Sequence, residues 1–173
     1  MNDKPTAIVV GPPGAGKTTI GELLANQLDV PFRDVDHDIE LVAGKSISDI
    51  FTVDGEPVFR AMEEQAIAAA LVEHSGVLAV GGGAILSART RALLAGHTVV
   101  FLNVGLTEGM RRTGMSTARP LLAGVNPRAT FKTLLEARLP LYREVASVEV
   151  PTDDMTPDEI VAAVLDRLGS PTR

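Results

Sequence analysis

Residues 11–18, Gly11-Pro12-Pro13-Gly14-Ala15-Gly16-Lys17-Thr18, satisfy the pattern G-x-x-x-x-G-K-[ST] without a gap. The chemistry that needs this spacing is the holding of a polyphosphate. Glycines let the backbone take positive φ and bring N–H groups against phosphate oxygens. Those N–H groups, with the N-terminus of a following helix, make a concave anion site. Lys17 is placed to reach the β- and γ-phosphates of a nucleotide, and the Thr18 hydroxyl to ligate Mg²⁺. The loop alone leaves the enzyme class open, because GTPases and motor ATPases use it too. There is no N-K-x-D guanine motif, and the apolar run Gly76–Val80 ends in glycine rather than in the acid of a Walker-B strand. A short chain with this loop and a later Arg-rich segment points to a small phosphotransferase, which must exclude water or hydrolyse its donor.

Four further groups could serve an acceptor, and each has a plainer reading beside it. Asp34 and Asp36 stand two apart at the end of a predicted strand; if the strand runs through both, they share a face. One carboxylate could hold the metal, directly or through water, and the other accept the proton of a substrate hydroxyl. The plainer reading is an acidic turn from Asp34 to Asp38. Arg60 and Glu63 are neighbours at i,i+3 on a predicted helix, either a surface ion pair or a fork offered to a carboxylate. Gly81-Gly82-Gly83 is a strand-to-helix turn, but three glycines are more than a turn needs and suit close approach of backbone to a ligand. Residues 111–143 hold six Arg and Lys132 against the single acid Glu136. That segment is either a solvated helix face or a surface aimed at an anion.

The elements that must position these groups alternate between strand and helix. Thr6–Val10 reads as a buried strand, and Ile20, Leu23, Leu24 and Leu28 recur at helical spacing over Lys17–Leu28. Further strands are expected at Val30–Val35, Gly76–Val80, Thr98–Leu102 and Ser147–Val150. Short helices are expected within 37–53, and longer ones at Glu56–Glu73, Ser87–Ala95 (capped by Ser87 and stopped by Gly96), Thr107–Thr113, Pro127–Arg143 and Pro157–Leu168 (capped by Thr156). Residues 114–126 lose periodicity and are expected to form a mobile lid. Alternation of this kind predicts a five-stranded, parallel sheet covered by helices on both faces, a three-layer α/β/α arrangement. No repeat or long linker divides the chain, so 1–173 reads as one domain, with an acceptor-binding segment over about 34–63.

Composition narrows the class. At 173 residues, 45% hydrophobic and 22% charged, the chain can bury a sizeable core. Aromatic residues make up only 3%, so that core must be aliphatic. Absence of Cys removes disulfides and thiolate metal sites. A formal charge of −6 argues against general nucleic-acid binding. The run Ala7–Val10 is too short for a signal peptide or a membrane span. A cytoplasmic monomer that binds neither membrane nor nucleic acid is the expectation. Readings that stay open on these residues are a kinase of another small hydroxy acid or nucleotide, and a nucleotide-binding module without phosphotransfer.

The constellation resembles the shikimate kinase family through nearly the whole chain. The resemblance is carried by Gly11–Thr18, Asp34-x-Asp36, the segment Ile50-Phe51 to Glu63 with Asp54-Gly55-Glu56 and Phe59-Arg60, Gly81–Gly83, Arg112-Thr113-Gly114, Thr117-Ala118-Arg119-Pro120-Leu121-Leu122, and Arg138-x-Pro140-Leu141-Tyr142. It implies a P-loop kinase fold and transfer of the ATP γ-phosphoryl group to the 3-hydroxyl of shikimate with Mg²⁺. Gly14, Ala15, Gly16, Lys17, Thr18 and Thr19 would then bind ATP, with Arg119 reaching its phosphates from the lid and Arg112 and Pro157 sandwiching adenine. Thr18 and Asp34 would hold the metal, and Asp36 would act as base. Arg60 and Arg138 would face the shikimate carboxylate, with Phe51, Phe59, Glu63, Gly81, Gly82 and Gly83 completing the acceptor site. Catalysis would rest on Asp36, Lys17 and Arg119. The chain departs from the family pattern before Pro157, where Met155 stands and an arginine is often found.

Overall fold

The computed structural model describes residues 4–113 and 126–169. Five strands, β1 (Ala7–Val10), β2 (Phe32–Asp34), β3 (Val77–Ala79), β4 (Val99–Asn103) and β5 (Val148–Pro151), form one sheet in the order β2-β3-β1-β4-β5. Every pairing is parallel. Strand β1, all apolar and fully buried, lies in the middle of the sheet and is covered from both sides.

Side-chain alternation builds a separate core on each face. Ile8 and Val10 of β1, with Val99 and Phe101 of β4, pack on one side against α2 (Val35–Ala43), α4 (Glu56–Glu73) and α7 (Pro127–Val145). Ala7 and Val9, with Val100 and Leu102, pack on the other against α1 (Lys17–Leu28) and α8 (Pro157–Gly169). Each fully buried Ile or Leu in these layers contributes about 1.5–3 kcal/mol. The three-layer α/β/α arrangement and the five-stranded parallel sheet are as the alternation predicts.

Three local differences from the expected elements bear on function. Strand β2 stops at Asp34 instead of running to Val35, and Asp36 sits in the first turn of α2. The shared strand face expected for the two aspartates therefore does not exist. Asp34 instead caps the helix, its Oδ1 accepting from the Asp36 N–H at 2.9 Å, and Asp36 lies where the helix dipole favours an anion. Between the short α3 (Ile47–Asp49) and α4, residues Ile50–Asp54 form a π-helical turn closed by the Gly55 N–H on the Ile50 carbonyl at 3.0 Å. Helix α7 runs through Pro140 to Val145, two residues beyond the expected end at Arg143.

The other caps follow the sequence. Ser87 accepts from the Thr90 N–H at 3.1 Å and starts α5 (Ala88–Leu94). Thr156 and Glu159 exchange backbone-to-side-chain bonds of 2.9 and 3.2 Å, a capping box that opens α8. Helix α6 (Leu106–Thr113) leads into residues 114–125, so the expected lid and its Arg119 lie outside the described residues.

Candidate active site

The phosphate loop hangs from the end of β1, beside the carboxyl ends of β3 and β4, where open parallel sheets bind ligands. Gly14 has φ +85°, and a Cβ there would stand 2.7 Å from the Gly109 carbonyl oxygen. No side chain caps the start of α1, and its first turn contains no acid. That end of the helix is therefore a positive pole with no acid of its own. The Lys17 ammonium donates to the Pro12 carbonyl at 3.2 Å, which holds it folded over the loop.

A cleft of about 280 Å³ opens in front of the loop. Lys17, Thr18, Thr19, Asp34, Asp36 and Gly82 all line it. The Thr18 hydroxyl donates to Asp34 Oδ2 at 3.0 Å. Asp34 thus spans two elements, tied to α1 by one oxygen and capping α2 by the other. Among the described residues no group of three or more His, Cys, Asp or Glu forms a metal cage. Mg²⁺ in phosphotransferases is bound through one or two carboxylates plus substrate phosphates and keeps several waters. One hydroxyl and one carboxylate at the mouth of a phosphate loop fit that demand.

The acceptor side is drier and more closely tied. Glu63 is buried and makes a 2.8 Å ion pair with Arg60. Burial pushes the Glu63 carboxyl up, against the lowering pull of Arg60; Asp36 adds to the rise and Arg138 opposes it. Three charged groups, Asp36 of α2, Arg60 of α4 and Arg138 of α7, therefore converge at one carboxylate. The glycine turn is pressed onto the same cluster. A Cβ at Gly81 would meet Glu63 Oε2 at 2.9 Å and Asp36 Oδ1 at 3.0 Å, and one at Gly83 would meet the Arg60 guanidinium at 2.3 Å.

Aromatic rings fix the other side of Arg60. Phe51, carried by the π-helical turn, and Phe59 of α4 lie with centroids 4.7 Å apart. The Arg60 guanidinium carbon stands 5.9 and 5.2 Å from the two ring centres. Cation–π attraction of this kind holds a guanidinium in place while leaving its N–H fork to other partners. Arg60 Nε and Glu63 Oε2 are buried and without a hydrogen-bond partner among the described residues.

At the far end a wider cleft of about 500 Å³ is lined by Thr19, Arg112, Met155 and Pro157. Arg112 and Pro157, expected to sandwich a base, do line one space. Arg112 is also clamped: it donates to Glu108 Oε1 at 2.9 Å, to the Gly14 carbonyl at 3.3 Å, and to the Thr152 carbonyl and hydroxyl at 2.9 and 3.1 Å. Glu108 also pairs with Arg111, and hydrogen bonds from Arg111 and then Arg112 hold its carboxyl down to about 2.

The structure thus brings Gly14, Gly16, Lys17, Thr18 and Thr19 to one cleft with Asp34, Asp36 and Gly82, sets Arg60 and Arg138 about Glu63, and places Arg112 and Pro157 with Ala15 at a third place contiguous with the loop, while Arg119 lies outside the described residues. Sequence reading missed Glu108 and Thr152, which fix Arg112, and Tyr142, whose hydroxyl donates to the Gly82 carbonyl. The i,i+4 spacing of Arg138 and Tyr142 was the available signal for the last.

The family model described as shikimate kinase matches residues 13–169. A shikimate kinase of Saccharopolyspora erythraea is 70% identical over 164 residues, 95% of this chain and 94% of the relative. One from Streptomyces avermitilis is 55% identical over 164 residues, 95% of each chain. The solved shikimate kinase of Acinetobacter baumannii, in complex with shikimate, superposes with a TM-score of 0.91 at 37% identity, covering 95% of this chain and 92% of that one. Nearly the whole length is matched, and the chain belongs to the shikimate kinase family.

Proposed function

We propose that this chain transfers the γ-phosphoryl group of ATP to the 3-hydroxyl of shikimate, giving shikimate 3-phosphate and ADP. The observation that carries the reading is the convergence of Asp36, Arg60 and Arg138 on the buried Glu63 beneath the Gly81–Gly83 turn. A P-loop enzyme at large has no need of it. A small hydroxylated carboxylic acid does, because two arginines suit its carboxylate and an aspartate suits its hydroxyl.

The division of labour follows from position. The loop N–H groups, the N-terminus of α1 and Lys17 hold the β- and γ-phosphates. Thr18 and Asp34, the latter through water, are the residues that would hold Mg²⁺, which neutralises charge on the phosphates when bound. Arg60 and Arg138 bind the acceptor carboxylate, with Phe51 and Phe59 beside its ring. Asp36 orients the 3-hydroxyl and takes its proton as the oxygen attacks phosphorus. The bond from the γ-phosphorus to the bridging oxygen breaks, and that oxygen leaves on ADP. Arg119, in the lid read over 114–126, is assigned to the same phosphates. Arg112, Pro157 and Met155 are assigned to adenine. In-line transfer of this kind asks positioning and charge of the protein and little covalent chemistry.

We read the protein as a cytoplasmic monomer without nucleic-acid or membrane partners. Among the described residues no helix is long and apolar enough to cross a membrane. The deciding experiment is a coupled ADP-release assay with ATP and Mg²⁺, run with shikimate, with gluconate, with nucleoside monophosphates and with no acceptor. Shikimate-dependent release alone is expected. Equal release in all arms would sink the acceptor assignment.

A further inference from the structure

Tyr142 is the only tyrosine of the chain, and the chain has no tryptophan. Its ring is fully buried and stacks on Phe101, with centroids 4.9 Å apart and planes 21° apart, so the phenol oxygen has a fixed place. That oxygen donates to the Gly82 carbonyl and lies within the influence of the Arg138 guanidinium. Arg138 lies one helical turn earlier on α7 and is itself buried.

The glycine turn has two peptide planes to fix, and two bonds fix them. The Gly81 carbonyl accepts from the Ala84 N–H at 3.1 Å, which sets the plane between Gly81 and Gly82. Tyr142 sets the next one, between Gly82 and Gly83. Neither glycine has side-chain bulk to resist rotation. Gly82 also lies on the phosphate loop, since a Cβ there would stand 3.2 Å from Pro13 Cδ and 3.3 Å from the Gly11 carbonyl oxygen.

We propose that Tyr142 is a positioning residue for the acceptor, its single hydroxyl aligning the Arg138 guanidinium with the Gly82–Gly83 peptide so that both meet the same substrate. This rests on the acceptor reading given above. The residue acts through its two partners and does not itself touch substrate. Burial pushes the phenol up to about 12, with Arg138 pulling the other way, so the hydroxyl keeps its proton throughout any ordinary assay.

The test is Tyr142→Phe, which keeps the ring and its stacking and removes only the hydroxyl. Shikimate KM is expected to rise about tenfold, the effect of one lost oriented bond, with kcat and the KM for ATP within about twofold of the parent. As a control, Phe101→Leu removes the stacking partner and leaves the hydroxyl; it is expected to lower Tm while moving shikimate KM less. An unchanged shikimate KM in Tyr142→Phe, or equal rises in both KM values, overturns the proposal. If the variant does not fold, the parent decides, because all tyrosine emission comes from this side chain. Shikimate should shift that emission and ATP should not, and no shift with saturating shikimate overturns the proposal. A parent enzyme with no shikimate-dependent ADP release would instead reject the acceptor reading itself.

Discussion

The acceptor end and the nucleotide end of this site are built from different materials. At the acceptor end, side chains do the holding. Glu63 and Arg138 are buried, Arg60 is wedged between rings and a glycine turn, and charged groups from three helices meet. At the nucleotide end the backbone does most of it, through the loop and an uncapped helix start, and the flanking cleft is wide. Glu63 and Glu108 mark the contrast: burial lifts the first carboxyl, and two arginines at the protein surface hold the second down. A dry cluster of side chains discriminates between acceptors, because each mismatch leaves a buried group unpaired. A backbone cradle grips any polyphosphate and discriminates little.

Substitutions can break that comparison. The largest effect is expected for Asp36→Asn, which keeps the shape and removes the proton acceptor. The kcat should fall by about 10²–10⁴, while nucleotide affinity measured by titration stays within about twofold. Unchanged turnover would remove Asp36 as the base. Next, Arg138→Ala should raise the shikimate KM by roughly 30–100-fold, as loss of a charged hydrogen bond implies. The ATP KM should hardly move, and an equal rise in it would erase the distinction between the two ends. A smaller change sharpens the nucleotide side: Met155→Arg adds a guanidinium to the wide cleft, and a cation over an exposed ring is worth about 0.5–1 kcal/mol. The ATP KM should fall by about two- to fivefold with shikimate KM unaffected. A fall in shikimate KM instead would show that Met155 does not face the base.

The smallest effects are in the pH dependence of stability, and the two carboxylates act with opposite sign. Glu63 has a raised value in the folded state, so its favourable contribution is complete below the ordinary value of 4.5 and is lost as pH climbs through the raised one. Glu108 is lowered to about 2, so its contribution is present above 4.5 and is lost as pH falls toward 2. Melting temperatures across pH should therefore show Glu63→Gln flattening the limb above the ordinary carboxylate range, and Glu108→Gln flattening the acid limb. The same limb flattened by both would mean that the ends are electrostatically alike.

Much of this was legible in the sequence, and the reason differs by region. The phosphate loop and the buried strands are written locally, in glycine spacing and in unbroken apolar runs such as Ala7–Val10, so they read directly. The pairing of Asp34 with Asp36 was legible as chemistry but not as geometry. A capping side chain ended the strand one residue early and put Asp36 on a helix, and cap competition at a strand-to-helix junction leaves no periodic trace. The clamp on Arg112 joins residues some forty and a hundred positions apart, at Thr152 and Gly14, which no local pattern records. Tyr142 reads as core because it is core; only its bond to Gly82 shows what its hydroxyl does.

The middle position of β1 also governs how the chain can be made. Ile8 pairs with Leu78 on one side and Val99 on the other. The strand that carries the phosphate loop therefore leaves the ribosome before both of its neighbours and cannot be enclosed until about ninety further residues exist, roughly 5–20 seconds of synthesis. Through that interval four consecutive apolar residues are without their neighbours. Pro5 on one side and Gly11-Pro12-Pro13 on the other limit what they can pair with meanwhile. The residues that shape the phosphate loop in the finished enzyme thus also keep its supporting strand from joining the wrong sheet in the nascent one.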